Sequence, residues 1–190
     1  MEYRSFENVP RGRDIVFFDI EATSLSSYGE IIELAGIRVE TDAFNVMEEF
    51  EMKLKPQRIK TADPVALEIA GYNEEVWKKE AVDPKEALQK FVEFAEGNIL
   101  AAHNLPMDWM WLQRSLEDVG IDPSYVYSGI DTVGVAWTVF HRKGIQMPLS
   151  LGRLADYFNI DRGRAHRALD DAKTAHKVFV KLLELDAQKD

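Results

Sequence analysis

Hydrophobic and polar positions follow a strand-like pattern in the first part of the chain and a largely helical pattern after it. An apolar run at residues 14–20 and two partly alternating runs at residues 31–40 and 46–54 predict three strands. The loops between these runs are short enough for an antiparallel meander. The apolar segment at residues 98–102 predicts a fourth, buried strand, and residues 128–132 predict a short fifth strand.

Helical spacing of apolar residues predicts the remaining elements. The clearest helix begins at Asp83, an N-cap residue followed by Pro84, and ends at Gly97. The other predicted helices cover residues 64–70, 74–79, 107–119, 133–140, 149–158 and 167–185. The order of elements indicates an α/β domain with flanking helices and a mixed five-stranded sheet, of which the three N-terminal strands are antiparallel.

The composition indicates one folded domain over residues 1–190, with a core at about 14–186. Hydrophobic residues make up 46% of the chain, enough for a sizeable core, and the absence of cysteine excludes disulfides and thiolate chemistry. No apolar run approaches the roughly 20 residues of a membrane span, and the first residues lack the apolar segment of a secretory signal. We therefore expect a cytoplasmic protein without a membrane partner.

The charge balance argues at first against a nucleic-acid partner. Acidic residues outnumber basic ones by 33 to 23, which gives a formal net charge of −10. Proteins that hold nucleic acid through their whole surface usually have the opposite balance. The informative acids are therefore those that lie where an apolar core would exclude them.

Two such acids, Asp19 and Glu21, close the first predicted strand, and residues two apart on a strand face the same side. Their mutual repulsion and lost hydration call for a positive partner. With no cysteine in the chain, a hard cation such as Mg²⁺ or Mn²⁺ is the natural candidate. The alternative is that both acids only mark the solvated end of the strand.

A second polar group follows the fourth predicted strand. His103 and Asn104 lie in the strand-to-helix loop, the part of an open α/β sheet that commonly binds ligands. Asp108 opens the helix that follows, where an acid also interacts favourably with the helix dipole. This segment alone is compatible with a ligand site and with ordinary stabilisation of a helix start.

A third group lies at the start of the last predicted helix. His166 and Asp171 are five residues apart, about 140° around a helix, so they can meet only if His166 belongs to the preceding loop. Asp171 lies on the core-facing row of that helix, whereas Asp170 lies on the solvent-facing row and is expected to pair with a lysine. His176 and His141, the latter in a predicted loop, are expected to be surface or packing residues.

Together the three groups resemble the motifs of the DnaQ-like (DEDDh) 3′–5′ exonucleases, which have an RNase H-like fold. The acid-x-acid motif matches Asp19-Ile20-Glu21, the HN-x-x-x-D motif matches His103 to Asp108, and the H-x-x-x-x-D motif matches His166 to Asp171. Weaker similarity at IIELAGI, IDT and SLGRLADYFNI extends the resemblance over residues 15–183. Departures from the family pattern occur at Ala22, Ser24 and Met107, beside the substrate end.

The resemblance implies a metal-dependent exonuclease that uses two Mg²⁺ or Mn²⁺ ions and releases nucleoside 5′-monophosphates. In this family the acid that matches Asp19 bridges both ions, those that match Glu21 and Asp171 complete one ion site, and the one that matches Asp108 supports the second. His166 is the implied general base, because a histidine side chain exchanges protons near neutral pH. The implied substrate-binding residues are Ala22, Thr23, Leu25, His103 and Asn104.

The expected partners are 3′ ends of single-stranded or frayed DNA. RNA ends are the close alternative because the acids and the histidine do not encode the sugar, and a catalytically silent binding module is disfavoured because none of these residues is missing. Two bound ions would return four positive charges, which reconciles the acidic balance with a polyanionic substrate. A basic cluster, which either contacts the substrate backbone or is simply solvated, is formed by Arg162, Arg164, Arg167 and Lys173.

The chain ends soon after its last predicted helix, at LDAQKD. A polymerase partner is therefore not indicated, and we expect a stand-alone enzyme. The sequence does not decide between a monomer and a homo-oligomer.

Overall fold

The computed structural model describes residues 13–24, 29–122 and 126–188, with only the backbone described at residues 126–128. Its five-stranded sheet has the order β3-β2-β1-β4-β5. The strands are β1 Ile15–Ala22, β2 Ile31–Val39, β3 Val46–Lys53, β4 Ile99–Ala102 and β5 Val126–Asp131. The first three pair antiparallel, and β4 pairs parallel with both β1 and β5, which confirms the predicted mixed sheet.

Seven α-helices flank the described part of the sheet, together with a short 3₁₀ turn at Ile59–Thr61. They are α1 Pro64–Ile69, α2 Glu74–Glu80, α3 Pro84–Phe94, α4 Leu105–Val119, α5 Thr132–Arg142, α6 Leu151–Tyr157 and α7 Ala168–Ala187. The predicted N-cap of α3 is confirmed, since the Asp83 carboxylate accepts a hydrogen bond from the backbone N–H of Lys85 at 2.9 Å. No helix among the described residues is both long and apolar enough to cross a membrane.

The alternation of side chains along β1 divides the core into two layers. Val16 and Phe18 pack in the layer that α3 and α4 cover, and Phe18 contacts the ring of Phe91 there. Ile15 and Phe17 face the opposite layer, which α7 covers. Because the period of a strand is two, the same alternation carries the next odd-numbered side chains, Asp19 and Glu21, to the α7 side.

The first strand extends further than its apolar run predicts. Pairing with β2 continues past residue 20 to Ala22, which lies opposite Ile31 after an irregularity in the register. Asp19, which the prediction already placed in the strand, and Glu21, which lay just beyond its predicted end, are therefore both within β1. The prediction ended the strand too early because it followed the apolar run, whereas the backbone pairing with β2 continues beyond that run.

Two histidines outside the motifs have structural surroundings. His176 is buried on α7, where its Nε2 lies 3.0 Å from the carbonyl oxygen of Phe44 and its ring contacts Phe17, as a packing histidine would. His141 lies in the last turn of α5 rather than in the predicted loop, because the helix continues to Arg142. Its ring stacks on the exposed Trp137 with 5.1 Å between centroids.

Candidate active site

Two carboxylates project from β1 toward the beginning of α7. Asp19 and Glu21 are half-buried, and both continue the face of the strand on which Phe17 packs against Phe179 of α7. Contacts between α7 and both β1 and β2 hold this helix across the sheet. The start of α7 is thereby placed over the acidic end of β1.

The third motif brings a histidine and an acid to the same place. His166 lies in the loop before α7, with a left-handed backbone (φ +60°), and Asp171 lies in the first turn of the helix. The backbone N–H of His166 donates a hydrogen bond to Oδ2 of Asp171 at 2.9 Å. This arrangement of a loop histidine and a helical acid is the one that their spacing predicted.

Glu21, His166 and Asp171 form a group with metal-ligand geometry. Each offers one ligand atom, a carboxylate oxygen or an imidazole nitrogen, and these atoms lie within 4.8 Å of one another. Carboxylate oxygens are the ligands that Mg²⁺ and Mn²⁺ prefer. The donor set at this position fits a hard divalent cation.

Asp108 approaches the same region from the opposite layer. It lies in the first turn of α4, its exposed fraction is 6%, and its carboxylate accepts hydrogen bonds from its own backbone N–H and from that of Ile20 in β1. The contact with Ile20 ties Asp108 to the residue between Asp19 and Glu21. A role confined to the dipole of α4 does not account for this link to another element.

The four acids lie in one poorly hydrated space, which raises the pKa of each of them. Burial is the largest cause and raises the pKa of Asp108 and of Glu21 to about 7. Burial also raises the pKa of Asp19 well above its ordinary value, and the neighbouring charges of Asp108, Asp171 and Glu21 raise it further. The pKa of Asp171 is raised by burial, although the N–H of His166 opposes the shift. Carboxylates in such a site are stabilised either by protonation or by a bound cation.

Asp131, at the end of β5, holds in place the turn that leads into α4, the helix that carries Asp108. Its Oδ1 accepts backbone N–H groups of Asn104 at 3.0 Å, Leu105 at 3.4 Å and Val133 at 3.1 Å. One carboxylate thus caps α5 and fixes the turn that begins α4. The sequence predicted no role for Asp131, because the helix was expected to begin at residue 133, whereas α5 begins at Thr132 and Asp131 is its N-cap.

The two polar residues before α4 have different surroundings. His103 has both ring nitrogens engaged within the protein, Nδ1 at 2.8 Å from Oγ1 of Thr132 and Nε2 at 2.8 Å from the carbonyl oxygen of Leu149. Burial lowers the pKa of His103. Asn104 is exposed and has a left-handed backbone (φ +75°). Their contact with substrate stays a prediction, and Asn104 is the more accessible of the two.

The loop after β1 is closed by Thr23. Its side-chain oxygen accepts the backbone N–H of Glu30 at 2.9 Å, and its own N–H donates to the carbonyl oxygen of Glu30 at 2.9 Å. Thr23 is buried and Ala22 is half-buried, so both support the base of this loop. Leu25, the third substrate contact predicted here, lies outside the described residues.

The predicted basic cluster consists of side chains that each face an acid. The nearest approaches are Arg162 to Asp156 at 4.0 Å, Arg164 to Asp170 at 3.8 Å, Arg167 to Glu33 at 3.3 Å and Lys173 to Glu49 at 2.7 Å. The prediction that Asp170 pairs with a lysine is wrong. Its carboxylate instead accepts the backbone N–H of Arg164 at 3.0 Å, in the loop before α7.

The comparisons with known proteins agree with this arrangement. The family model for RNase T-type exonucleases matches residues 16–179, which include all three acidic motifs. This chain belongs to the RNase T exonuclease family. The predicted DnaQ-like exonuclease resemblance is confirmed, and with it the expectation that the chain is an enzyme of the exonuclease class.

Curated relatives of this exonuclease domain are much longer proteins. A DNA polymerase III of the PolC type from Caldanaerobacter subterraneus is 30% identical over 172 residues, covering 90% of this chain and 12% of the polymerase. A PolC-type polymerase from Thermotoga petrophila is 29% identical over 184 residues, again covering 12% of that protein. The chain therefore spans about an eighth of the length of these polymerases.

Solved structures share the fold of this exonuclease domain. The nuclease domain of 3′hExo, described as a DEDDh family member bound to rAMP, superposes with a TM-score of 0.76 at 17% identity, covering 92% of this chain and 93% of that one. Escherichia coli exonuclease I in complex with a dA16 oligonucleotide has a TM-score of 0.77 at 19% identity, covering 90% of this chain and 41% of that one. The predicted RNase H-like fold is confirmed.

Proposed function

We propose that this domain is a metal-dependent 3′–5′ exonuclease that hydrolyses phosphodiester bonds at single-stranded or frayed DNA ends and releases nucleoside 5′-monophosphates. The observation that carries the proposal is the group formed by Glu21, His166 and Asp171, whose ligand atoms lie within 4.8 Å of one another. Asp19 and Asp108 add two more poorly hydrated carboxylates beside this group. Acids and a histidine in this arrangement suit phosphodiester hydrolysis.

Asp19, Glu21, Asp108 and Asp171 would hold two Mg²⁺ or Mn²⁺ ions. Such ions, when bound, neutralise charge on the phosphate and acidify a water molecule. The carboxylates contribute by presenting oxygens that are already gathered and poorly hydrated, so little reorganisation is needed on binding. The backbone N–H of His166 further restrains Asp171 in this position.

His166 would act as the general base. Its side chain is exposed, and one ring nitrogen lies within 4.8 Å of the ligand oxygens of Glu21 and Asp171. A water molecule placed between this nitrogen and a bound phosphate would transfer its proton to the imidazole as it attacks. The left-handed backbone at His166 occurs where its N–H meets Asp171 in the first turn of α7.

The terminal nucleotide would lie over the loop that Ala22 and Thr23 begin, with Leu25 as a further contact. The exposed Asn104, and less directly His103, would meet the sugar or the phosphate. These assignments follow from the motif positions. They are supported by the short distance along β1 between the candidate metal ligands and this loop.

The proposal favours DNA over RNA. The relatives that match nine-tenths or more of this chain are named DNA polymerases, and the exonuclease I structure contains a DNA oligonucleotide. RNA is the second candidate because the similar 3′hExo nuclease domain was solved with rAMP. The sugar contacts that would discriminate between the two substrates involve the 2′-hydroxyl.

Matched 5′-labelled DNA and RNA oligonucleotides provide the test. With Mn²⁺ or Mg²⁺ we expect a ladder that shortens from the 3′ end, faster on DNA, and no cleavage in EDTA. Cleavage that persists in EDTA, or a single internal cut, would contradict the proposed reaction. Faster degradation of RNA would retain the reaction class and replace the substrate.

A further inference from the structure

Glu33 is a buried acid outside the three motifs. It lies on β2 directly opposite Glu21 of β1, and its exposed fraction is 0%. Neither carboxylate oxygen of Glu33 has a well-aligned hydrogen-bond partner among the described residues, although the backbone N–H of Ala168, the first residue of α7, approaches Glu33 and partly opposes the rise in its pKa that burial causes. A carboxylate in this position needs a counter-charge, since an unpaired buried charge is strongly destabilising.

The counter-charge comes from the first residue before α7. Nη2 of Arg167 lies 3.3 Å from Oε2 of Glu33, and the arginine side chain is 19% exposed. The loop after α1 covers this contact, because a Cβ atom at Gly71 would lie only 3.4 Å from Nη1 of Arg167. The pair is thus enclosed between the sheet, α7 and the α1–α2 loop.

Lys53 is the other cation near Glu33, and its ammonium group is engaged elsewhere. Lys53 lies opposite Glu33 on β3, but its Nζ is 3.2 Å from Oε2 of Glu80 and 5.4 Å from the centre of the Trp77 ring. The positive charge of Lys53 therefore acts on Glu33 only at longer range. Among the described residues, Arg167 makes the closest ionic contact with Glu33.

Arg167 also lies between the residues of the third motif. It directly follows His166, and its carbonyl oxygen accepts the backbone N–H of Asp171 at 2.9 Å. Its side chain is fixed to the strand next to the one that carries Glu21. Arg167 thus links the loop that carries His166, the start of α7 and the sheet.

We infer that the buried Arg167–Glu33 pair is a positioning device that holds His166 and Asp171 against Glu21 of β1. The inference rests on the proposed function, and it assigns both residues an indirect role. Without the pair, α7 would still pack through its apolar face, but its first turn would lose the ionic contact with β2. A displacement of about 1 Å at this turn is enough to slow a reaction that depends on close positioning.

The test compares the unsubstituted chain with Arg167→Met, Arg167→Lys, Glu33→Gln and the double variant Arg167→Met/Glu33→Gln. Arg142→Met is the matched control, because Arg142 pairs with Asp186 at 2.7 Å on the surface and has no place in the site. Each variant is first checked by circular dichroism and thermal melting. Cleavage of a 5′-labelled DNA oligonucleotide with Mn²⁺ is then measured well below the melting temperature.

We expect Arg167→Met and Glu33→Gln to lower kcat about 10- to 100-fold while KM changes less than about threefold. Arg167→Lys should recover part of the loss, since it restores the charge without the planar guanidinium. The two substitutions should be non-additive in kcat, as expected for residues that act as one unit. The Arg142→Met control should retain the kcat of the unsubstituted chain.

An Arg167→Met variant that melts earlier but keeps the original kcat would overturn the inference, because the pair would then be only structural. If Arg167→Met does not fold, the double variant decides, since it leaves no unpaired buried charge. A kcat equal to that of the unsubstituted chain in the double variant would equally overturn the inference.

Failure of the proposed function is recognised separately, by an unsubstituted chain that does not cleave DNA or RNA with either cation. The positioning role is then tested by the rise in melting temperature on adding Mn²⁺. A smaller rise for Arg167→Met than for the unsubstituted chain and for Arg142→Met would support it, and equal rises would overturn it.

Discussion

The backbone N–H of His166 donates a hydrogen bond to the carboxylate of Asp171 over 2.9 Å. The candidate general base and one candidate metal ligand are thereby joined through the main chain of a single loop. Because the contact uses the amide rather than the imidazole, it restrains His166 without occupying its ring. The motif spacing of five residues places this amide opposite the carboxylate.

Asp171→Asn should remove the negative charge of the Asp171 side chain while keeping its hydrogen bond with the backbone of His166. The amide oxygen can still accept the N–H of His166, so the fold should persist, while cation binding loses one carboxylate. We expect cleavage to fall at least about 100-fold in an oligonucleotide assay with Mn²⁺. Asp170→Asn, one residue earlier and paired with Arg164, is the control and should stay within a few-fold. Equal losses in both variants would contradict the assignment.

The metal-free protein should lose stability as the pH rises. The folded-state pKa values of Glu21 and Asp108 are raised to about 7 by burial, so the folded protein binds more protons than the unfolded chain between about pH 4 and about pH 8. Stability from these groups is full at low pH and is lost as the pH rises through about 7, by up to about 1.4 kcal/mol per pH unit for each group.

Thermal melts in EDTA between pH 6.5 and 8.5 isolate this effect. The lowered pKa values of His103 and His176 act in the opposite direction, since neutral buried histidines destabilise only as the pH falls below about 6.5. Added Mn²⁺ should restore the melting temperature most at pH 8.5. A melting temperature that rises with pH in EDTA would disprove the linkage.

Asp108→Asn should stabilise the metal-free protein while it impairs cleavage. At pH 8 the variant no longer has a charged carboxylate at a position whose exposed fraction is 6%. The amide oxygen can still accept the N–H of Ile20, which limits the structural change. We expect a higher melting temperature in EDTA, a smaller rise on adding Mn²⁺ and slower cleavage. A variant that is less stable in EDTA would show that Asp108 is held mainly by its charge.

Asp131→Asn and Asp131→Ala should differ sharply in stability and in the rate of cleavage. The asparagine oxygen can replace Oδ1 as acceptor for Asn104, Leu105 and Val133, whereas alanine leaves these donors without it. Asp131→Ala should therefore lower stability by about 1–3 kcal/mol in denaturant unfolding and slow cleavage. Asp131→Asn should remain close to the unsubstituted chain in both measurements. Similar behaviour of the two variants would argue against this role.

The sequence predicted the parts of the site that are local. The alternation along residues 15–21 places Asp19 and Glu21 on one face, and the five-residue spacing separates the loop position of His166 from the helical position of Asp171. Both arguments depend only on the period of one element. They needed no knowledge of which other elements pack nearby.

The parts that the sequence missed depend on tertiary contacts. Glu33 lies within the apolar segment IIELAGI, and its counter-charge on Arg167 comes from the other end of the chain. Asp131 acts through three backbone donors, two of which belong to a distant turn. The two engaged ring nitrogens of His103 likewise depend on Thr132 and Leu149, which no local pattern brings together.

The alternation of β1 also restricts the ways in which the chain can misfold. A slip of one residue in its pairing would turn Asp19 and Glu21 toward the apolar layer around Phe91 and Leu112, and would expose Ile20 in their place. That exchange would bury two carboxylates with no cation within reach. Asp19 and Glu21 therefore also favour the correct register of β1, because the shifted pairing is destabilised even before any metal ion or substrate binds.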